Sequence, residues 1–265
     1  MGIYMMREPN YLWFTANTAG STVKLTMVGS PTAVTLETST DGTNWSTYTF
    51  WNTITLSSIG SKVYWRNTST STTWFSTSAS NYYKFVMTWS INWSGDVNYL
   101  INKNSTKELG SDCCFEKLFS ECTSLKVPPE LPATTLTNYC YEYMFDHSWV
   151  TTPPVLSCTS LAAGCYSGMF NASSSLAALP RLPATTLAPS CYHGMLAYCS
   201  SIKLNSTQTW EYQTPYRIPS EWTWTTASDA MSSMVYWTTW DMSWKPTRWT
   251  PTINTTYYTA NPIVW

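Results

Sequence analysis

"LPATTLTNYCYEYMF" occupies Leu131 to Phe145 and returns, altered, as "LPATTLAPSCYHGML" at Leu182 to Leu196. A cysteine before an aromatic residue marks each copy: Cys114-Phe115, Cys140-Tyr141, Cys165-Tyr166 and Cys191-Tyr192, at intervals of 26, 25 and 26 residues. A constant period in that range is the mark of stacked supersecondary units. Apolar residues follow the aromatic at +3 and +4 (Phe115/Leu118/Phe119, Tyr141/Met144/Phe145, Tyr166/Met169/Phe170, Tyr192/Met195/Leu196). That spacing predicts one face of a helix. A second thiol recurs eight residues on, at Cys122 and Cys199, with Ser148 and Ser173 in the middle copies. Short apolar alternations that end in proline, Leu125-Val127 and Leu176-Leu179, read as strands. Each unit is therefore expected to run strand, turn, helix, with Cys114, Phe115, Leu118, Cys140, Tyr141, Met144, Cys165, Tyr166, Met169, Cys191, Tyr192 and Met195 as its core.

Upstream, apolar and hydroxyl residues alternate in "STVKLTMV", "AVTLETS", "TITLSSI", "KVYWRN" and "YKFVMTW", with Asp41-Gly42 and Ile59-Gly60 as turn signals. Short strands at about ten-residue spacing suggest a sandwich. Downstream lies a tail with Trp237, Trp240, Trp244, Trp249 and Trp265. It reads as a cap, since the ends of repeat arrays need covering. The expected fold class is α+β: a β-sandwich-like domain, a short solenoid of about 26-residue strand-helix units, and a Trp-rich cap. The divisions fall at 1–10 (an arm), 11–105, 106–204 and 205–265.

The chain has 14 Lys plus Arg against 15 Asp plus Glu, with the basic residues scattered singly. No stripe faces a phosphate backbone, so nucleic acid is not an expected partner. Charged residues are 11% of the chain, and Thr and Ser beside 16 Trp and 18 Tyr take their place. The outcome is a neutral, polar surface on a chain with enough apolar area to fold. No basic segment followed by an apolar run directs export, and no run of about 18 apolar residues predicts membrane insertion. The eight cysteines follow the repeat rather than a zinc spacing and read as small core residues, with no metal or cofactor expected.

Catalysis has little to rest on. Asp146-His147-Ser148 holds the residue types of a hydrolytic triad, but sequence neighbours rarely converge in that geometry. His193 falls inside the repeat and reads as a variable surface site. Glu116, Glu121, Glu130, Glu142 and Glu221 have no partner that sequence can place opposite them as a glycosidase pair. Asp41 reads as a plain Asp-Gly turn. No enzymatic activity is expected.

From "CTSLKVPPELPATTLTNYCYEYMF" and its copies, the segment from Cys113 to Trp224 resembles leucine-rich repeats of the treponemal surface-antigen type, in the variety found in gut bacteria and their phages. "STDGTNWSTYTF" and "YYKFVMTWSINWSGDVNYLINKN" resemble the β-rich domain that commonly precedes such repeats. Trp51, Trp89 and Trp93 stand where relatives typically carry glycine. The resemblance implies surface adhesion, and together with the composition and the missing export signal it implies a virion protein assembled in host cytoplasm. The expected function is a phage fibre, tail-tip or head-decoration protein, a homotrimer among other virion proteins, that binds a host or mucosal glycan. A purely architectural subunit and a bacterial cell-surface adhesin are the alternatives. Candidate glycan-stacking residues are Trp51, Trp65, Trp89 and Trp93, or Trp237, Trp240 and Trp244. For each, core packing is the competing role.

Overall fold

The alternation that begins at Leu12 produces short strands with one buried face each. In β2, Ser21, Val23 and Leu25 turn inward while Thr22 and Lys24 face out. The computed structural model describes residues 10–177, 180, 182–184, 186–201, 229–230 and 233–234. Its strands are β1 (Leu12–Ala16), β2 (Ser21–Val28), β3 (Leu36–Ser39), β4 (Ser46–Thr47), β5 (Ile54–Leu56), β6 (Lys62–Asn67), β7 (Tyr82–Thr88) and β8 (Ile91–Ser94), followed by one 3-10 turn at Val97–Leu100. They form two antiparallel sheets, ordered β4-β3-β6-β1-β8 and β5-β2-β7. Phe14 of β1 sits opposite Val63 and Trp93 in its own sheet. Its ring meets Phe85 of the other sheet at 4.9 Å, and Trp65 meets the same Phe85 at 5.2 Å. The sheets therefore share an aromatic core.

Beyond Asp112 the structure corrects the expected α+β solenoid of strand-helix units. No α-helix occurs among the described residues, and the supposed helices are rows of tight turns. Every fourth residue is left-handed: Cys113, Lys117 and Glu121 in the first row, Tyr139, Tyr143 and His147 in the second, Gly164, Gly168 and Ala172 in the third, Ser190, Gly194 and Tyr198 in the fourth. Alternate amides close local turns three residues back, as in Glu116 N–H to Cys113 O and Leu118 N–H to Phe115 O. The others reach the next row, as in Phe115 N–H to Cys140 O, Tyr141 N–H to Cys165 O and Tyr166 N–H to Cys191 O. A row so built has a period of four, and apolar residues at +3, +4 and +8 all return to its inner side. A helix would have carried the +8 thiol about 80° away from the first.

The rows stack ring on ring. Phe115, Tyr141, Tyr166 and Tyr192 form one column, with centroids 6.0, 5.8 and 5.9 Å apart. Phe119, Phe145 and Phe170 form a second. The column continues into β7, because Phe85 stacks on Phe119 at 5.2 Å and its N–H donates to Leu118 O. One hydrophobic cluster thus runs from the sheets through the rows. The expected strand at Leu125 is a single parallel bridge to Ile91. Ala178 and Leu179, and the 205–265 cap apart from residues 229–230 and 233–234, lie outside the described residues.

Candidate ligand-binding surface

Of the seven tryptophans the sequence offers, Trp65 and Trp93 are fully buried, where no ligand can stack on them. Trp93 packs edge-on against Phe119 at 3.6 Å, and Trp65 stands between Tyr48 and Phe85. Trp237, Trp240 and Trp244 lie outside the described residues. Trp51 and Trp89 are 56% and 68% exposed.

Both exposed residues occur where the chain crosses from one sheet to the other, Trp51 between β4 and β5, Trp89 between β7 and β8. Both are left-handed, at φ +72° and +63°. For a bulky L-residue that conformation is a genuine outlier, costing about 1–2 kcal/mol. In the turn rows the same cost is offset by hydrogen bonds between rows. Trp51 has one long bond, from its N–H to Leu25 O at 3.4 Å. Neither Trp recovers the cost by burial. A glycine would serve the backbone better at both corners, so the indole itself is what the positions hold. The three-stranded sheet, whose β5 follows Trp51 and whose β7 precedes Trp89, carries Thr22, Lys24, Thr55, Val86 and Thr88 on its outer face, with Thr22 and Thr88 hydroxyls 2.7 Å apart.

A third exposed indole, Trp74, escaped the sequence analysis. Thr73 on one side is tied by its N–H and hydroxyl to Ile101 O, and Phe75 on the other is sunk against Tyr83 and Phe115. Trp74, 56% exposed, is held outside between them. It lines a groove of about 420 Å³ with Thr77, Gly110, Ser111, Asp112 and Thr137. In "STTWFSTS" nothing separates this Trp from its neighbours, because the anchors that expose it come from distant parts of the chain. A second groove is apolar, formed by Pro128, Pro129, Pro132, Pro153 and Pro154 with Val127 and Val155 exposed at its sides.

The residues considered for chemistry have other engagements. His147 Nδ1 is 2.9 Å from Asp146 Oδ1, but the Ser148 hydroxyl is buried against that of Ser173, 3.2 Å away. Asp41 Oδ1 accepts the N–H groups of Thr43 and Asn44, and Oδ2 accepts the Asn44 amide, which holds its carboxyl well below the usual range. No group of three or more His, Cys, Asp or Glu residues suited to a metal occurs among the described residues. All eight cysteines are unpaired thiols, and burial pushes the Cys114 and Cys122 thiols up to about 12. His193 is half-buried, with no hydrogen bond to Nδ1 among the described residues.

Glu116 and Glu142 do come together. They occupy the same place in adjacent rows, 26 residues apart, a relation that the repeat spacing already contained. The Glu116 carboxylate is buried with no hydrogen bond to oxygen or nitrogen among the described residues, its polar neighbours being the Cys113 thiol and Lys117 Nζ, which lies 3.3 Å from one of its oxygens. Glu142 accepts the Ser167 hydroxyl at 3.1 Å. Burial first, and the Glu116 charge second, push the Glu142 carboxyl up to about 7. Within this pair Glu116 is buried and Glu142 half-buried.

Comparison of the chain with protein-family models, curated proteins and solved structures finds no match.

Proposed function

We propose that the chain is a phage virion structural protein, of the fibre, tail-tip or head-decoration kind, that attaches to a host-surface or mucosal glycan. The observation that carries this reading is the pair of exposed indoles, Trp51 and Trp89, kept at left-handed corners where glycine would be more stable. Strain of this kind concentrates at sites of recognition. A flat aromatic ring offers a sugar's C–H face a large contact at little entropic cost, and the sheet whose strands adjoin both corners carries Thr hydroxyls on its outer face. The near-neutral charge fits an uncharged ligand, and the likeness of the repeated segment to surface proteins of gut bacteria and their phages supplies the setting. Single contacts of this sort are weak, so attachment needs several copies, as in a trimer.

The test is a glycan array probed with the purified chain after its oligomeric state is fixed by light scattering. Wild type should retain a defined set of sugars, and Trp51→Gly with Trp89→Gly should lose them. A wild-type chain inert on every glycan, or a double variant that binds undiminished, removes the reading. The apolar proline groove favours a second one, an architectural subunit in which Val127 and Val155 pack against another copy. That reading predicts a concentration-dependent oligomer which Val155→Asp disrupts.

A further inference from the structure

We infer that the groove beside Trp74 is a subsite for one neutral pyranose unit, an inference that rests on the glycan-binding reading and names the chemistry of its ligand. The groove combines one aromatic wall with oxygen acceptors. Asp112 is exposed and its two oxygens are oriented by the Asn138 N–H and side-chain amide at 3.0 and 3.2 Å, leaving lone pairs for a ligand. The Thr137 hydroxyl donates to Ser111 O at 2.6 Å, so its remaining capacity is as an acceptor. Thr77 donates to Asn81 O and is in the same position. Ser111 lines the groove at 7% exposure, while its hydroxyl is buried and faces the Cys114 thiol.

The complement of such a lining is a molecule that donates several hydroxyls from its rim and offers an apolar face to an indole. A pyranose has both. No Lys or Arg is among the six lining residues and one carboxylate is, which disfavours phosphate, sulfate and acidic sugars. A quaternary ammonium would also accept an indole and a carboxylate, but its usual cage needs several rings and this groove has one. The volume, about 420 Å³, is in the range of small-molecule sites. Trp74 is fixed on both flanks, so little order has to be imposed on binding.

The experiment titrates the full chain with the methyl pyranosides of glucose, galactose, mannose and N-acetylglucosamine, and with choline, following indole N–H resonances by NMR. The Trp74 resonance, assigned by its loss in Trp74→Ala, should shift with at least one pyranoside. Trp74→Ala and the isosteric Asp112→Asn should each weaken that binding about tenfold or more, while Trp51→Gly and Trp89→Gly leave this resonance responsive. Glycans retained on the array through Trp51 and Trp89 with no pyranoside response at Trp74 would overturn the subsite and leave the adhesive reading intact. Response to choline alone overturns the sugar assignment. A chain that binds no sugar in either assay removes both.

Discussion

At the residue scale the corners and the buried carboxyls make separable predictions. Replacing Trp51 or Trp89 by glycine relieves a left-handed L-residue, so each change should raise stability, by about 1 kcal/mol after the added freedom of the unfolded chain is allowed for. Thermal melts would detect this, and a loss of stability would mean that the indoles are packing residues. The same variants are expected to lose ligand, and that opposition between stability and binding is what a purely structural Trp would not produce. Glu142 supplies a pH dependence. Its folded carboxyl titrates near 7 against 4.5 for the free group, so its favourable contribution is complete below about pH 4.5 and lost as pH rises through 7. Glu142→Gln should therefore melt higher than wild type above pH 7 and show no such gain at pH 4. Asp96, pushed up to about 6 chiefly by burial, adds to the same decline over a similar window.

At the scale of elements, the second and third rows fit because large residues in one meet glycine in the other. A Cβ at Gly168 would lie 2.3 Å from the Tyr143 ring, and one at Gly164 equally close to that of Tyr139, with both glycines left-handed. Gly168→Ala should cost at least about 2 kcal/mol from backbone strain and overpacking together. In a double-mutant cycle Tyr143→Ala should recover the steric part and leave the strain. Phe145, at the centre of its column, is a cavity site, and Phe145→Ala should cost about 3–5 kcal/mol by denaturant unfolding. The strands were legible from alternation, because burial on one face leaves a period of two in the residues. The rows were not. A four-residue turn period and a helix place apolar residues at the same +3 and +4, and the left-handed positions are filled by Lys, Glu, Tyr, His and Ser more often than by glycine. The row-to-row hydrogen bonds that make such residues tolerable involve partners 24 or 25 positions away, and 38 for the row at Cys191, beyond any local pattern.

For the whole molecule, the candidate surface was legible as a residue type rather than as places. Composition pointed to exposed aromatics, and Trp51 and Trp89 were among those named, but the sequence offered no means to separate them from Trp65 and Trp93, buried in strands β6 and β8. Burial is decided by which face of a strand meets the opposite sheet, and Trp74 is exposed by anchors drawn from three parts of the chain. Sheets and alternating turns without α-helix among the described residues contribute no helical double minimum to the far-ultraviolet dichroism. The amides that join the rows also share a direction, since each row donates to the next and accepts from the one before. Peptide dipoles of about 3.5 D aligned in this way add along the stack. The rows therefore contribute an electric polarity of their own, negative toward β7 and positive toward the row at Cys191. A neighbouring molecule could sense which end of the stack it approaches before any side chain makes contact.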